Sequence, residues 1–187
     1  MGLFLSTTAV RDVAVDDLIT PIESWFSDHF VTCSVATTID PVPDPGRAAI
    51  FQPIDGWTIV LWPNHFLSDA EVGQHLSEVL STVVSAVNVF DSDCWQQVIA
   101  HRGQIIDRYA TDPRYLATEL EPLSVVAPRW QGDPQAVAAL LGCDAREVAR
   151  HYQRNRRSRT FDDWGFVDLW ATAGITYPEP PMTVSAT

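Results

Sequence analysis

From Trp57 to Tyr115 the chain reads WTIVLWP, then a helical stretch, then VVSAVNVFDSDCWQQVIAHRGQIIDRY. This alternation of β-rich runs with one amphipathic helix constrains the fold more than any other feature. Trp57–Trp62 is a nearly unbroken apolar run, which suits a strand buried on both faces, and Pro63 ends it. Ser68-Asp69-Ala70-Glu71 has the form of a capping box, and behind it Val72, Leu76, Val79, Leu80 and Val83 keep a helical stripe. Val84–Phe90 and Trp95–His101 read as strands about the turn Asp91-Ser92-Asp93. Arg102-Gly103 is a tight connection into Gln104–Tyr109.

The residues before Trp57 carry a similar succession. Gly2–Ser6 reads as a short strand, and Thr20-Pro21-Ile22-Glu23 as a capping box with proline at the first helical position; a start nearer Asp16 is the alternative. Leu18, Ile22, Trp25 and Phe26 share one helical face. Phe30–Thr37 is a β-rich run, Asp40–Gly46 a proline-broken loop, and Ala48–Gln52 a short strand leading to the Asp55-Gly56 turn. At an offset of roughly 54 residues the two stretches match element for element. The expected fold class is therefore α+β: a mostly antiparallel sheet from two β-α-β-β units, with helices on one face and a C-terminal helical segment.

That organisation places a sheet domain over 1–116 and a connecting loop over 117–133. A helical appendage packed on the domain follows over 134–174, and a loose tail over 175–187. Asp133-Pro134 opens a helix that Gly142 stops, and Asp144 caps a second one reaching about Gln153 with Val148 and Tyr152 inward. Phe161–Ala173 is a third, with Trp164, Val167 and Trp170 on one side.

No run approaches the roughly 20 apolar residues of a membrane span, and the short N-terminal run lacks a signal-peptide pattern. Cys33, Cys94 and Cys143 form neither a CxxC pair nor a disulfide framework, which fits a reducing cytoplasm. Nucleophile elbows, phosphate loops and zinc signatures are absent, so no catalytic residue, metal or cofactor is assigned.

Charge is the remaining functional signal. The chain carries a net −12, which opposes attraction to nucleic acid or anionic membranes. Arg146, Arg150, Arg154, Arg156, Arg157 and Arg159, opposed by Glu147 alone, leave +5 in fourteen residues and −17 elsewhere. This is either a docking patch or a solvated helix end that complements its own dipole. Ala138, Gly142 and Val148 also have helix-turn-helix spacing, which would turn Arg146 and Arg150 toward a groove. Asp91, Asp93 and Asp107 are candidate acidic partner-binding residues; as hard-cation ligands they lack a calcium-loop spacing. Trp57, Trp62, Trp95 and Trp130 are candidates for a ligand cleft between the halves, Trp130 standing in a loop. His101 reads as a half-buried strand histidine and His65 as a loop residue.

Phe90-Asp91-Ser92-Asp93-Cys94-Trp95, followed by Gly103, Asp107-Arg108-Tyr109 and Pro113-Arg114-Tyr115, resembles a group of uncharacterised bacterial proteins. They share an aspartate-rich turn, a tryptophan and a hairpin. Such proteins are similar in size and acidity to the immunity proteins that accompany bacterial toxins. The resemblance covers about a third of the chain, which departs from it in Cys94 and the Arg-rich segment. It implies an acidic inhibitor of a basic protein partner, and no catalytic residue carries over from it. The two other readings are a small-ligand sensor with a cleft between the halves and a DNA-binding regulator using residues 134–159.

Overall fold

β1 spans Leu5–Arg11 and so runs five residues past Ser6, the expected end of the first strand; Gly2 and Leu3 lie outside the described residues. The structure, a computed structural model, describes residues 4–29, 34–37, 47–63, 66–67, 69–91, 93–157 and 164–178. β1 extends through Thr7 and Thr8 because both hydroxyls are satisfied inside the sheet. Thr7 Oγ1 donates to the Val60 carbonyl at 3.1 Å, and Thr8 Oγ1 accepts from Trp62 Nε1 at 2.8 Å. A β-branched hydroxyl with such a partner fits an interior strand as well as valine does.

α1 spans Val15–Asp28 and takes Pro21 into its interior, so the Thr20–Glu23 capping box does not form. Its N-cap is Ala14, without a side-chain bond, and Asp16 and Asp17 supply the negative charge its first turn favours. β2 (Ser34–Thr37), β3 (Arg47–Ile50) and β4 (Trp57–Leu61) follow, then α2 (Asp69–Val79). β5 (Val83–Phe90), β6 (Cys94–His101) and β7 (Gln104–Ala110) complete the strands. Residues 40–46, Ser68 and Ser92, named in the sequence patterns above, lie outside the described residues.

The strands form one sheet of order β2-β3-β4-β1-β5-β6-β7. Every pairing is antiparallel except β2 with β3. The chain is thus α+β. The element order repeats, β1-α1-β2-β3 and then β4-α2-β5-β6, but the outer pairs differ. β5 and β6 form a hairpin with β5 against β1, whereas parallel β2 and β3 put β3, not β2, against β4.

Both faces of the sheet are covered. Val10, Val60 and Val84 pack with Leu18 and Ile22 of α1 and Val72 and Leu76 of α2. Alternate residues Ala9, Ile59, Val87 and Ile99 face the other way, with Trp57, Trp95 and Tyr109, onto the C-terminal helices. These are α4 (Pro134–Leu141), α5 (Ala145–Arg157) and α6 (Gly165–Thr172). Val137, Leu141, Val148, Tyr152, Phe166 and Trp170 are their inward residues, so α4, α5 and α6 build a second helical layer. Two inward assignments are corrected: Val79 is 55% and Trp164 46% exposed, each lying at the very edge of its helix.

The 117–133 stretch, read as loop, contains α3 (Leu123–Arg129), preceded by a 3₁₀ turn at Pro113–Leu116. Pro128 inside α3 and a single buried residue, Val126, leave almost no periodic signal in the sequence. After α3 the chain runs back along the open edge of β7. Ala110 N–H donates to the Trp130 carbonyl and Gly132 N–H to the Arg108 carbonyl. Below that point a bulge between Ile99 and Ala100 breaks the regular β6–β7 register, a further device against stray edge pairing. No helix among the described residues is long and apolar enough to cross a membrane.

Candidate functional site

The three candidate aspartates do not act together. Asp91 and Asp93 stand exposed in the β5–β6 turn, Asp91 with a left-handed φ of 47°. Beside them Arg114 makes a bidentate pair with Asp112, which holds that carboxyl below its ordinary value. A hydrogen bond to Asp93 pushes the Tyr115 phenol up.

Asp107 is a correction: it pairs with Ile99, roughly 16 Å of strand beyond Cys94, and is 6% exposed. It accepts from Asp133 N–H at 2.6 Å and from the Tyr152 hydroxyl at 2.8 Å. Burial pushes its pKa up against those bonds. Asp107 ties the helical layer to the sheet and presents no charge to a partner. Tyr152 completes the tie by stacking on Tyr109 at 3.9 Å and accepting, through its carbonyl, the Tyr109 hydroxyl.

The tryptophan cleft is likewise corrected. Trp57, Trp62 and Trp95 are 4%, 0% and 0% exposed, and Trp62 lies on the opposite face of the sheet from the other two. Filled cores occupy the place of a cleft between the halves. Trp130 is half-buried as the C-cap of α3, its carbonyl bound to β7. His101 is half-buried at the end of β6, and His65 lies outside the described residues.

α4 and α5 form the helical hairpin that the spacing anticipates, with Gly142 at φ 78° between them and Val148 fully buried. Arg146 and Arg150 are exposed, and Arg150 pairs with Glu147. Arg154, Arg156 and Arg157 continue α5, while Arg159 lies outside the described residues. Among the described residues no three histidine, cysteine, aspartate or glutamate side chains gather to hold a metal ion.

Two features escaped the pattern reading. The first is where the negative charge sits. Residues 12–101 hold thirteen acids and one cation, Arg47. Asp16, Asp17, Glu23, Asp28, Glu71 and Glu78 are all exposed on α1 and α2, with Asp12 exposed just ahead of α1, and neither helix carries a lysine or arginine. A tally by segment would have found it. The second is a polar row inside that layer. Asp69, 1% exposed at the start of α2, accepts from Asn88 Nδ2 at 2.9 Å. Burial pushes its pKa up to about 7. Ser6 and Gln96 flank Asn88 in register on β1 and β6, and Ser6 Oγ and Gln96 Oε1 have no hydrogen-bond partner among the described residues.

A hollow lies beside β7. It is open to solvent, has a volume of about 420 Å³ and is lined by Ile105–Arg108, Pro128, Arg129 and Gln131–Gln135. A smaller one of about 240 Å³ lies across Gly132, against α5. Comparison of the chain with protein families, with curated proteins and with solved structures finds no match.

Proposed function

We propose that the chain is a non-enzymatic interaction protein, an immunity- or antitoxin-like inhibitor whose acidic α1–α2 layer covers a basic protein partner. The observation that carries the reading is the layer itself: six exposed acids on two adjacent helices that hold no cation. The helix dipoles favour Asp16, Asp17 and Glu71 in their first turns, but stability does not account for the remaining acids at the opposite ends. Asp28 and Glu78 sit in the last turns of their helices, where the dipole disfavours negative charge. Like charges this close repel one another, and they steer a positively charged surface inward from beyond contact range. The exposed Asp91-Asp93 turn adds to the same sign of field. Described cysteines Cys94 and Cys143 are free, which suits a reducing cytoplasm.

The test is co-purification from cells of the source organism, with the wild-type chain and with Asp16, Asp17, Glu23, Glu71 and Glu78 all changed to lysine. The wild type retains a basic protein at low salt and releases it as salt rises. The reversed chain, folded by circular dichroism, retains none. Equal retention by both, or retention insensitive to salt, sinks the reading.

A second reading has one specific observation in its favour. The α4–α5 hairpin exposes Arg146 and Arg150, while the acidic layer that would repel phosphates lies across the sheet. Two layers of separation exceed the Debye length of about 8 Å at physiological salt. Duplex DNA retarded at low salt by the wild type, and not by Arg146→Gln/Arg150→Gln, would promote this reading over the first.

A further inference from the structure

We propose that the 420 Å³ hollow beside β7 binds a small organic oxyanion, a carboxylate or phosphate ester, through Arg108. Arg108 is half-buried and makes no ion pair or side-chain hydrogen bond among the described residues. The described arginine side chains elsewhere are provided for. Arg11, Arg114, Arg129 and Arg150 each pair with an acid, and Arg102 and Arg146 are exposed to water. A guanidinium drawn partly out of water needs acceptors for its five N–H donors, and its planar fork matches a carboxylate or a phosphate.

The acids around the hollow already accept hydrogen bonds from within the chain. Both Asp107 oxygens accept, from Asp133 N–H and the Tyr152 hydroxyl. Asp133 Oδ1 caps α4 by accepting from Gln135 N–H and Ala136 N–H, and Glu121 holds Arg129. What the hollow offers a ligand is the Arg108 charge and the Gln131 and Gln135 amides, which also make no side-chain bond among the described residues. The lining is mostly polar, and Ile105, Ile106, Pro128 and Pro134 contribute its smaller apolar share. The size falls within the usual range of small-molecule sites. The β6–β7 bulge opens the strand here, and bulges are frequent beside sites because they re-aim side chains. The hollow owes nothing to the acidic layer, and its occupant need not be part of any protein partner.

The full chain, labelled with ¹⁵N, is titrated with citrate, with glycerol 3-phosphate and with glycerol. Saturable shifts centred on the Ile106 and Gly132 amides are expected with at least one anion and not with glycerol. Which anion saturates separates a carboxylate ligand from a phosphate ester. Arg108→Gln weakens binding about tenfold or more, and Gln135→Leu weakens it less. Arg146→Gln, which removes an exposed cation of the same charge, leaves it unchanged. Non-saturable shifts with both anions overturn the proposal, as does equal weakening by Arg108→Gln and Arg146→Gln.

Discussion

The two faces of the sheet are built from different materials. Toward α1 and α2 aliphatic residues predominate, with Val10, Val60 and Val84 against Leu18, Ile22, Val72 and Leu76, beside one aromatic cluster of Trp25, Phe26 and Trp62. Toward α4–α6 it is aromatic and polar-anchored. Trp57, Trp95 and Tyr109 meet Tyr152, Phe166 and Trp170, and specific bonds fix the register. Trp170 Nε1 donates to Ser85 Oγ at 3.0 Å, and Gln97 Nε2 donates to the same oxygen at 2.9 Å. An aliphatic interface tolerates sliding; one pinned through Ser85 and Asp107 does not. The acidic surface sits over the first kind and the arginine-bearing helix over the second.

Trp170→Ala separates the faces most sharply. The side chain is fully buried, and its loss should cost about 3–5 kcal/mol in denaturant melts. Hydrogen exchange should show α4–α6 losing protection first, while α2 keeps its own. Simultaneous loss from both layers would mean that they form one cooperative unit and that the contrast in materials has no energetic consequence.

The same contrast explains what was legible in the sequence. The aliphatic face announces itself: Leu18, Ile22, Val72 and Leu76 recur at helical spacing, and all four are fully buried. β4 to β7 were readable because each run is uniformly β-prone and their turns carry Asp55-Gly56, Asp91 and Gly103. The aromatic face was legible as helices but not as a layer, since the partners of Tyr152 and Trp170 lie 43 and 85 residues away. Nothing local marks Asp107 as buried. Its burial depends on Tyr152 and on Asp133 N–H arriving from the other layer. The tryptophans misled for a related reason: strand periodicity tells which side of a strand a residue faces, but not whether that side is covered.

Among the buried polar residues of the α1–α2 face, Asp69 is the acid, and it gives that layer a pH dependence. With its pKa pushed up to about 7, chiefly by burial, Asp69 keeps in the folded state a proton that the unfolded chain releases near its ordinary value. Between about pH 4 and pH 7 the native state therefore binds more protons, and stability falls as pH rises. The contribution is complete below the lower value and gone above the upper. Asp69→Asn, which keeps the acceptor for Asn88, should flatten that slope and stabilise the chain at pH 8 by on the order of 3 kcal/mol. An unchanged slope in the variant would place the titration elsewhere. Asp107, also pushed up by burial, contributes in the same direction and would be the residue to examine next.

The finest contrast lies within the aromatic layer, between two glycines of left-handed φ. Gly142, at 78°, ends α4 with nothing within 4 Å of the place a Cβ would take, so Gly142→Ala meets only backbone strain, about 1 kcal/mol. Gly132, at 75°, faces the Tyr152 ring, and a Cβ there would stand 2.3 Å from Cε2. That ring has no room to withdraw, because it is stacked on Tyr109 and its hydroxyl is held by Asp107. Gly132→Ala should therefore cost about 2–3 kcal/mol and disturb the Tyr109–Tyr152 stack, visible as a change in near-ultraviolet circular dichroism. Gly142→Ala should leave that spectrum intact. If the two substitutions cost the same, Tyr152 is free to move, and the tie through Asp107 is weaker than its geometry implies.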